Sequence, residues 1–313
     1  MSQDVFDKIA IIGIGLLGSS IAHATHAYGG ASEVALWDVS EDVRARAARV
    51  VHGAVCETAE AAIAGADCVI LCTPVGVLAE VTETIARSLK PGAILTDVGS
   101  VKAKAAADMA AHCPNHVHLV PGHPIAGTEK SGPEAGFASL FQDAWHILTP
   151  LSDQDDAYTE AVANLTAFWK GLGARVETMD AARHDRVLAI TSHLPHLIAY
   201  NIVSTAYDME SVEQGEVVKY SAGGFRDFTR IAASDPTMWR DVFLTNKEAV
   251  LETLGRFSED LAALQRAIRW GDGDMLMREF TRARGIREAI IDAGLDTAEA
   301  DFGRRQLDPN SDD

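Results

Sequence analysis

The stretch from Ile9 to Ala22 constrains the fold of this chain more than any other. Ile9–Ile12 form a short apolar run, which is typical of a strand buried on both faces of a parallel sheet. Three glycines follow with the spacing G-x-G-x-x-G, and the residues after them have the composition of a helix. This order suits a dinucleotide pyrophosphate, because the start of the helix offers unpaired N–H groups and the positive end of its dipole.

Each glycine of this turn has its own role. Gly13 permits the tight turn, Gly15 lets the backbone come close to phosphate, and Gly18 lets the helix pack against the strand. A glycine-rich turn without a ligand is the alternative for such a motif taken alone. The candidate cofactor-binding residues here are Gly13, Ile14, Gly15, Leu16, Leu17 and Gly18.

A second predicted strand, 34–38, ends in an acidic residue, Asp38. In dinucleotide folds, a carboxylate about 20 residues after the glycine turn accepts a hydrogen bond from the ribose 2′-hydroxyl. The same carboxylate repels a 2′-phosphate. Asp38 therefore predicts NAD rather than NADP as the cofactor.

The composition limits the class of protein. The 313 residues predict two domains, and a hydrophobic fraction of 47% is ample for a core. The net charge of −18 argues against nucleic acid as a partner, because phosphates require a basic surface. No run resembles a membrane span or signal peptide, and the 4 cysteines lack metal-ligand spacing, so we expect reduced thiols and a cytoplasmic protein without a membrane partner.

Strand and helix patterns alternate from residue 8 to about residue 180. Repeated βα units predict an α/β fold whose N-terminal part is a doubly wound, Rossmann-like, mostly parallel sheet with right-handed crossovers. The S-x-x-D spacing at Ser152–Asp155 predicts the start of a helix that reaches about Leu172. The candidate strands are 8–12, 34–38, 68–72, 93–97, 117–121, 145–149 and 174–178.

Beyond residue 180 the pattern is helical. Residues 181–209 are predicted to form one apolar helix, interrupted only by Pro195, and Asp235–Pro236 opens a single helix of over thirty residues. A further helix is predicted from about Asp274 to Ala293, with a disordered tail after about residue 300.

The predicted domains are a nucleotide-binding domain, 1–180, and an all-helical substrate and dimerisation domain, 181–313. The very long helix favours a homodimer, because a small lobe cannot cover it alone. Burial of that helix within one chain is the alternative.

Polar residues follow the predicted strands at the edge where ligands bind in such folds. Thr73 and Pro74 form a rigid turn that either lies along the cofactor or is a plain turn. Ser100 and Lys102 place a hydroxyl and an amine near the nicotinamide end. His123, on a loop between glycine and proline, is the best candidate for a general base, because imidazole titrates near neutrality and can take a proton from an alcohol.

The helical part adds further candidates. His193 and His196 flank Pro195, but no cysteine or carboxylate with ligand spacing accompanies them, so we predict no metal. Arg226 and Arg230 lie after a pair of glycines, and the guanidinium fork of arginine suits bidentate recognition of a carboxylate. A solvated charged loop is the alternative for this segment.

Taken together, these motifs resemble the prephenate/arogenate (cyclohexadienyl) dehydrogenases of tyrosine biosynthesis. The likeness extends from about residue 8 to about residue 293. We see no fused chorismate mutase segment or regulatory domain, so the stand-alone form is expected. The motifs are G-x-G-x-x-G, Asp97–Lys102, Gly122–Glu129, Ser192–His196 and Gly224–Arg230.

The resemblance implies an NAD-dependent oxidative decarboxylation, in which C4 of a cyclohexadienol loses hydride and the ring carboxylate leaves as CO2. It implies that His123 accepts the hydrogen bond and then the proton of the C4 hydroxyl. The other implied roles are hydroxyl alignment beside the nicotinamide by Ser100, substrate-pocket lining by His196 and His193, carboxylate binding by Arg230, and orientation of the cations by Glu129 and Asp227.

Other readings stay open at this point. A 3-hydroxyacid dehydrogenase or imine reductase has a similar two-domain build, although the former would require a lysine on the first helix of the second domain, and residues 181–209 contain none. A non-catalytic NAD-sensing protein would keep the glycine turn but have little use for His123, Ser100 and Arg230 together.

Overall fold

The glycine turn lies in an alternating series of strands and helices, as its sequence context predicts. The computed structural model describes residues 4–152, 155–210 and 223–292. The strands are β1 (Phe6–Ile12), β2 (Ala31–Trp37), β3 (Ala54–Val55), β4 (Cys68–Leu71), β5 (Ile94–Asp97), β6 (His118–Leu119), β7 (Gly122–Ile125), β8 (Trp145–Leu148) and β9 (Arg175–Thr178).

Within these residues, six parallel strands form one sheet in the order β3-β2-β1-β4-β5-β6. Alternate side chains of β1 enter opposite cores: Ile9 and Ile11 pack in one, and Ala10 and Ile12 pack in the other. Residues Ile9–Ile12 of this strand are all apolar because both faces of the sheet are covered there. The strand order reverses between β1 and β4, and such a switch point is where ligands bind in doubly wound folds.

A second sheet corrects the prediction for the segment around residue 120. The fifth predicted strand, 117–121, is only His118–Leu119, and the chain then enters β7, which pairs antiparallel with β8. Strand β8 pairs parallel with β9. His123 therefore lies within a strand and not on a loop. Pro124 is tolerated because β7 is an edge strand, where a missing backbone N–H costs no ladder hydrogen bond.

Helices connect and follow the strands. Their bounds are α1 (Leu16–Tyr28), α2 (Glu41–Val50), α3 (Ala59–Ile63), α4 (Leu78–Ile85), α5 (Ala103–Ala110), α6 (Asp156–Gly171), α7 (Ala181–Leu188), α8 (Leu194–Glu210), α9 (Gly223–Thr229), α10 (Pro236–Thr245), α11 (Lys247–Trp270) and α12 (Gly273–Asp292). Aspartates cap three of these helices by accepting a backbone N–H: Asp155, Asp180 and Asp235. The cap of α6 is therefore Asp155 rather than Ser152.

The predicted apolar helix at 181–209 is continuous, but it contains a wider turn. Ala189–His193 form a π-helical turn between α7 and α8, in which the N–H of Leu194 bonds to the carbonyl of Ala189. Pro195 has no N–H to offer the preceding turn, so the irregularity falls directly before it.

By length and composition alone, Ala181–Met209 could cross a membrane, contrary to the expectation that no run resembles a membrane span. Its inward face carries three buried polar residues that belong to the site below: His184, Asp185 and His193. Its exposed apolar side chains are Val187, Ile190, Ile202, Val203, Tyr207 and Met209.

The helix predicted to begin at Asp235 and exceed thirty residues is two helices. Helix α10 ends at Thr245, and α11 begins at Lys247. Between them Asn246 leaves the helical region at φ −99° and ψ 33°. Its buried side-chain amide donates to the carbonyl of Asp185, 2.9 Å away. The apolar spacing continues across this break, so periodicity alone could not reveal it.

Contacts divide the chain into two compact units, one up to Thr253 and one from Leu254 onward. The first unit contains both sheets and every site residue discussed below. The described part of the second unit consists of α11 from Leu254 onward and the whole of α12. The predicted disordered tail lies outside the described residues.

Candidate active site

The glycine turn has the shape that a dinucleotide site requires. Gly13 has φ +100°, and a Cβ there would lie 2.7 Å from the carbonyl oxygen of Cys72. A Cβ at Gly18 would lie 2.0 Å from the carbonyl oxygen of Gly13. A Cβ at Gly15 would meet nothing within 4 Å, so the backbone there is open to a ligand.

Asp38 lies directly beside this turn. One carboxylate oxygen accepts the backbone N–H of Ile14 at 2.9 Å, and the other accepts that of Ser40 at 2.9 Å. The N–H of Ile14 is thus already bonded. The side chains of Leu16 and Leu17 pack on the core, so these residues can face a ligand through their backbone.

Thr73, Pro74 and Ser100 follow β4 and β5, at the same edge of the sheet as the glycine turn. The hydroxyl of Thr73 is buried and has no hydrogen-bond partner within the described part of the chain. A buried hydroxyl without a partner is costly, which fits a site completed by a bound polar group. Ser100 is half-buried and lies beside His193.

The side chain of Lys102 forms an ion pair in the protein interior. It is fully buried and pairs with the buried carboxylate of Asp97. Its ammonium also donates to the carbonyl of Gly122 at 2.7 Å. Asp97 in turn accepts the N–H of Gly99 at 2.9 Å and that of Gly122 at 3.3 Å. This pair therefore fixes the backbone directly before His123 to the end of β5.

His123 is buried and joins a hydrogen-bonded chain of side chains. Its Nδ1 lies 2.9 Å from Nε2 of His184, whose Nδ1 lies 2.8 Å from an oxygen of Asp185. The two oxygens of Asp185 accept the backbone N–H groups of Lys102 and Ala103 at 2.7 and 2.8 Å. The sequence analysis missed His184 and Asp185.

The surroundings of His123 favour the neutral ring. Burial holds its pKa well below 6.5, and four neighbouring bases act in the same direction: His184, Lys102, His146 and His193. Burial and Lys102 likewise hold the pKa of His146 well below its usual value, and its ring stacks on Trp169. A neutral imidazole is the form that can accept a proton.

His193 and His196 lie on the same helical segment but differ in burial. His193 is fully buried, 3.1 Å from the amide nitrogen of Asn246, and burial lowers its pKa to about 4. His196 is half-buried and stacks on Trp239 with ring centroids 3.7 Å apart. Within the described residues, no group of three or more potential ligands is arranged to hold a metal ion.

Arg230 and Glu129 form an ion pair with a nitrogen–oxygen distance of 2.8 Å. Both side chains are partly exposed, at 44% and 33%. A backbone N–H and the Arg230 guanidinium hold the pKa of Glu129 below its usual value, against the effect of burial. The segment carrying Arg226 and Asp227 is a helix, α9, rather than a charged loop, and Arg230 begins the 3₁₀ turn that follows it.

The fold and the site together define a class: an oxidoreductase with a doubly wound nucleotide-binding sheet and a buried histidine next to the carboxyl end of β5. Comparison with known proteins narrows this class. The prephenate dehydrogenase nucleotide-binding domain family matches residues 21–178, and the prephenate dehydrogenase dimerization domain family matches residues 180–282. The chain belongs to the prephenate dehydrogenase family.

Individual relatives agree with this assignment. The cyclohexadienyl dehydrogenase of Zymomonas mobilis is 45% identical, over 91% of this chain and 97% of that protein. The prephenate dehydrogenase of Bacillus subtilis is 33% identical, over 91% and 76%. The crystal structure of prephenate dehydrogenase from A. aeolicus with hydroxyphenyl propionate and NAD+ has a TM-score of 0.82 at 33% identity, and covers 93% of this chain and 99% of that one.

Proposed function

We propose that this chain catalyses the NAD-dependent oxidative decarboxylation of prephenate to 4-hydroxyphenylpyruvate in tyrosine biosynthesis, with arogenate as a second substrate giving tyrosine. The observation that carries the proposal is the buried, neutral His123 beside the carboxyl end of β5, in a chain of this family. A base in that position can act on an alcohol whose carbon loses hydride.

NAD fits the residues of the nucleotide site. The open face of Gly15, the uncapped start of α1 and the buried hydroxyl of Thr73 all suit a pyrophosphate-linked ligand. The carboxylate of Asp38 beside the turn disfavours a 2′-phosphate. When bound, NAD+ supplies the acceptor for the hydride that leaves C4 of the substrate.

His123 has a transient role in this chemistry. Prephenate and NAD+ give 4-hydroxyphenylpyruvate, CO2 and NADH without net release of a proton. His123 therefore accepts the proton of the C4 hydroxyl as hydride leaves and returns it to the ring oxygen as CO2 departs. Ser100 aligns the same hydroxyl. Aromatisation drives the loss of CO2, so the tasks of the protein are positioning, proton transfer and charge complementarity.

The cationic side of the site suits the substrate, which carries two carboxylates. Arg230 is proposed to bind one of them, with Glu129 and Asp227 orienting the charges at the entrance and His193 and His196 lining the pocket. The partial exposure of the Arg230–Glu129 pair supports this role, because an exposed guanidinium can exchange partners without a large desolvation cost.

The organisation of the chain is part of the proposal. Residues 1–180 form the NAD-binding domain and residues 181–313 form the substrate and dimerisation domain of a cytoplasmic homodimer. The match to a dimerization domain family and the exposed apolar side chains of Ala181–Met209 support a dimer. Sedimentation equilibrium of the purified chain should give twice the 33.5 kDa mass of the chain; a monomer would contradict this part.

The function is tested with the purified protein, NAD+ and either substrate. The reduced-nicotinamide absorbance should rise with prephenate, in step with CO2 and 4-hydroxyphenylpyruvate. The ratio of kcat/KM for prephenate and arogenate measures the substrate preference. No increase in absorbance with either compound would refute the proposal.

Replacement of Asp38 by Ala should reduce the preference for NAD+ over NADP+ by about 10- to 100-fold, because a hydrogen bond to a charged group contributes roughly 1.5–3 kcal/mol. Asp38 also holds the N–H groups of Ile14 and Ser40, so the KM for NAD+ should rise in this variant. Asp38→Asn is the matched variant, since it removes the charge and retains one acceptor. If the ratio of kcat/KM for NAD+ and NADP+ were unchanged, Asp38 would not contact the ribose of the cofactor.

Replacement of Arg230 by Ala should raise the KM for prephenate by about 10- to 100-fold, the cost of losing a charged hydrogen bond of roughly 1.5–3 kcal/mol. The turnover number should change far less, because Arg230 acts on a carboxylate away from the reacting carbon. Arg175→Ala is the control: Arg175 on β9 is also an exposed arginine in an ion pair, with Asp143, and its loss should leave KM unchanged. Equal KM values for both variants would assign Arg230 to structure alone.

The value of kcat/KM should stay constant as the pH falls through 6.5 and should decrease only at lower pH. The pKa of His123 is lowered, so the ring stays neutral as the pH falls through 6.5 and becomes protonated, and inactive as a base, only at lower pH. Initial rates between pH 4.5 and 8 measure this limb. A midpoint at or above the usual histidine value would contradict the assignment of His123 as the base.

A further inference from the structure

His123 is hydrogen-bonded to His184, which is hydrogen-bonded to Asp185, and the donor and acceptor at each step are fixed. We infer that His184 and Asp185 are positioning residues: they hold the proton of His123 on Nδ1 and leave Nε2 free to accept the proton of the substrate. This inference rests on the proposed role of His123, and it adds two residues that the sequence motifs did not indicate.

The direction is set at Asp185. Its two oxygens accept the backbone N–H groups of Lys102 and Ala103, at the start of α5. The positive end of the helix dipole favours a carboxylate there. An ionised carboxylate only accepts hydrogen bonds, so the third partner of Asp185, Nδ1 of His184, must be a donor.

The remaining protons follow from that donor. A neutral imidazole carries one proton, so His184 with a proton on Nδ1 has a lone pair on Nε2. Nε2 of His184 lies 2.9 Å from Nδ1 of His123 and therefore accepts its proton. The neutral His123 ring then has its lone pair on Nε2. Without His184, either tautomer is open to the ring.

The side chains of His184 and Asp185 also act during the reaction. When Nε2 of His123 takes up a proton, the ring becomes charged in a buried place near the ammonium of Lys102, and both the burial and this cation disfavour the charge. Asp185 is linked to the ring through His184, and its negative charge opposes this effect. The arrangement orients a base and stabilises its protonated form, as the carboxylate does in a serine protease triad.

The test is the protonation state of His123, observed by long-range proton–nitrogen NMR of the full chain labelled with ¹⁵N-histidine. His123→Asn identifies the signals. The unsubstituted protein should show a protonated Nδ1 and a bare Nε2. His184→Gln should retain this state, because its amide oxygen can accept from Nδ1, and His184→Leu should populate the Nε2-protonated form. His112→Gln is the control, because His112 is not part of this hydrogen-bonded series, and it should leave the tautomer of His123 unchanged.

Kinetics give a second readout. His184→Leu should lower kcat for prephenate by about 10- to 1000-fold with little change in KM, and His184→Gln should recover part of the loss. A protonated Nε2 in the unsubstituted protein, or an unaltered tautomer in His184→Leu, would overturn the inference. Because the NMR experiment needs no substrate, an enzyme inactive with prephenate but with the expected tautomer would refute the proposed function and leave this positioning role intact.

Discussion

Replacement of His123 by Asn is expected to lower kcat for prephenate by about 10²- to 10⁴-fold, the usual contribution of a general base. Asn cannot take up a proton, but its side-chain amide is polar and can keep a hydrogen bond to His184, the partner of the ring that it replaces. The binding of NAD+ should remain nearly intact, since the glycine turn and Asp38 are unaffected. Single-turnover rates and NAD+ titrations measure the two quantities separately.

The matched control for this variant is His116→Asn, an exposed histidine outside the site. Its kcat should equal that of the unsubstituted protein. A near-normal kcat in His123→Asn would show that another group accepts the proton. A parallel loss of NAD+ binding would show instead that the variant disturbs the nucleotide site.

The second large effect is expected for stability. Replacement of Lys102 by Ala leaves the carboxylate of Asp97 buried without its cation, because both side chains are fully inaccessible to solvent. Breaking such a pair typically costs about 3–5 kcal/mol of unfolding free energy. Lys102→Met, which retains the length of the side chain, should recover part of the packing but not the charge. Urea unfolding monitored by tryptophan fluorescence measures the difference.

Lys104 is the internal control for this measurement. It lies two residues further along and forms an exposed pair with Asp108, whose contribution should be below about 1 kcal/mol. Lys104→Ala should therefore unfold nearly as the unsubstituted protein does. Equal unfolding midpoints for the two alanine variants would show that the buried Lys102–Asp97 pair stabilises the fold no more than an exposed pair does, and so does not hold β7 in place.

The parts of the fold that the sequence predicts are those with strong local signals. Strand β4 and the second half of β1 are short apolar runs buried on both faces, and a glycine turn follows β1, so their positions could be predicted directly. Asp235 and Pro236 likewise indicated the start of α10, because an acceptor before a helix satisfies its first N–H groups. The start of α6 was predicted three residues early, with Ser152 in the place that Asp155 takes.

The errors arose where tertiary contacts override local pattern. The edge strand β7 contains a proline, which usually argues against a strand, and its partner β8 comes about twenty residues later. The break at Asn246 coincides with a hydrogen bond from its side chain to the carbonyl of Asp185, a residue 61 positions earlier in the chain. No spacing rule within either segment contains this information.

The candidate site divides in the same way. The glycine turn and Ser100 were found because they follow β1 and β5, and His123 was found because it follows the fifth predicted strand, although it lies within β7. His184 and Asp185 were missed because their importance comes from His123, 61 residues away in sequence, and from the start of α5. An adjacent histidine and aspartate on an apolar helix was the available signal, and it is weak without a contact partner.

The most direct test of the account is the distance between Nε2 of His123 and the ring hydroxyl of a bound product-like ligand. It is measured in a crystal structure of this chain with NAD+ and hydroxyphenyl propionate, a pair already seen bound to the A. aeolicus relative. If His123 is the general base, Nε2 should lie about 2.6–3.2 Å from the ring hydroxyl, within hydrogen-bond reach, and the ligand carboxylate should lie at Arg230. A ring of His123 turned away from the hydroxyl, with another side chain in contact with it, would contradict the account.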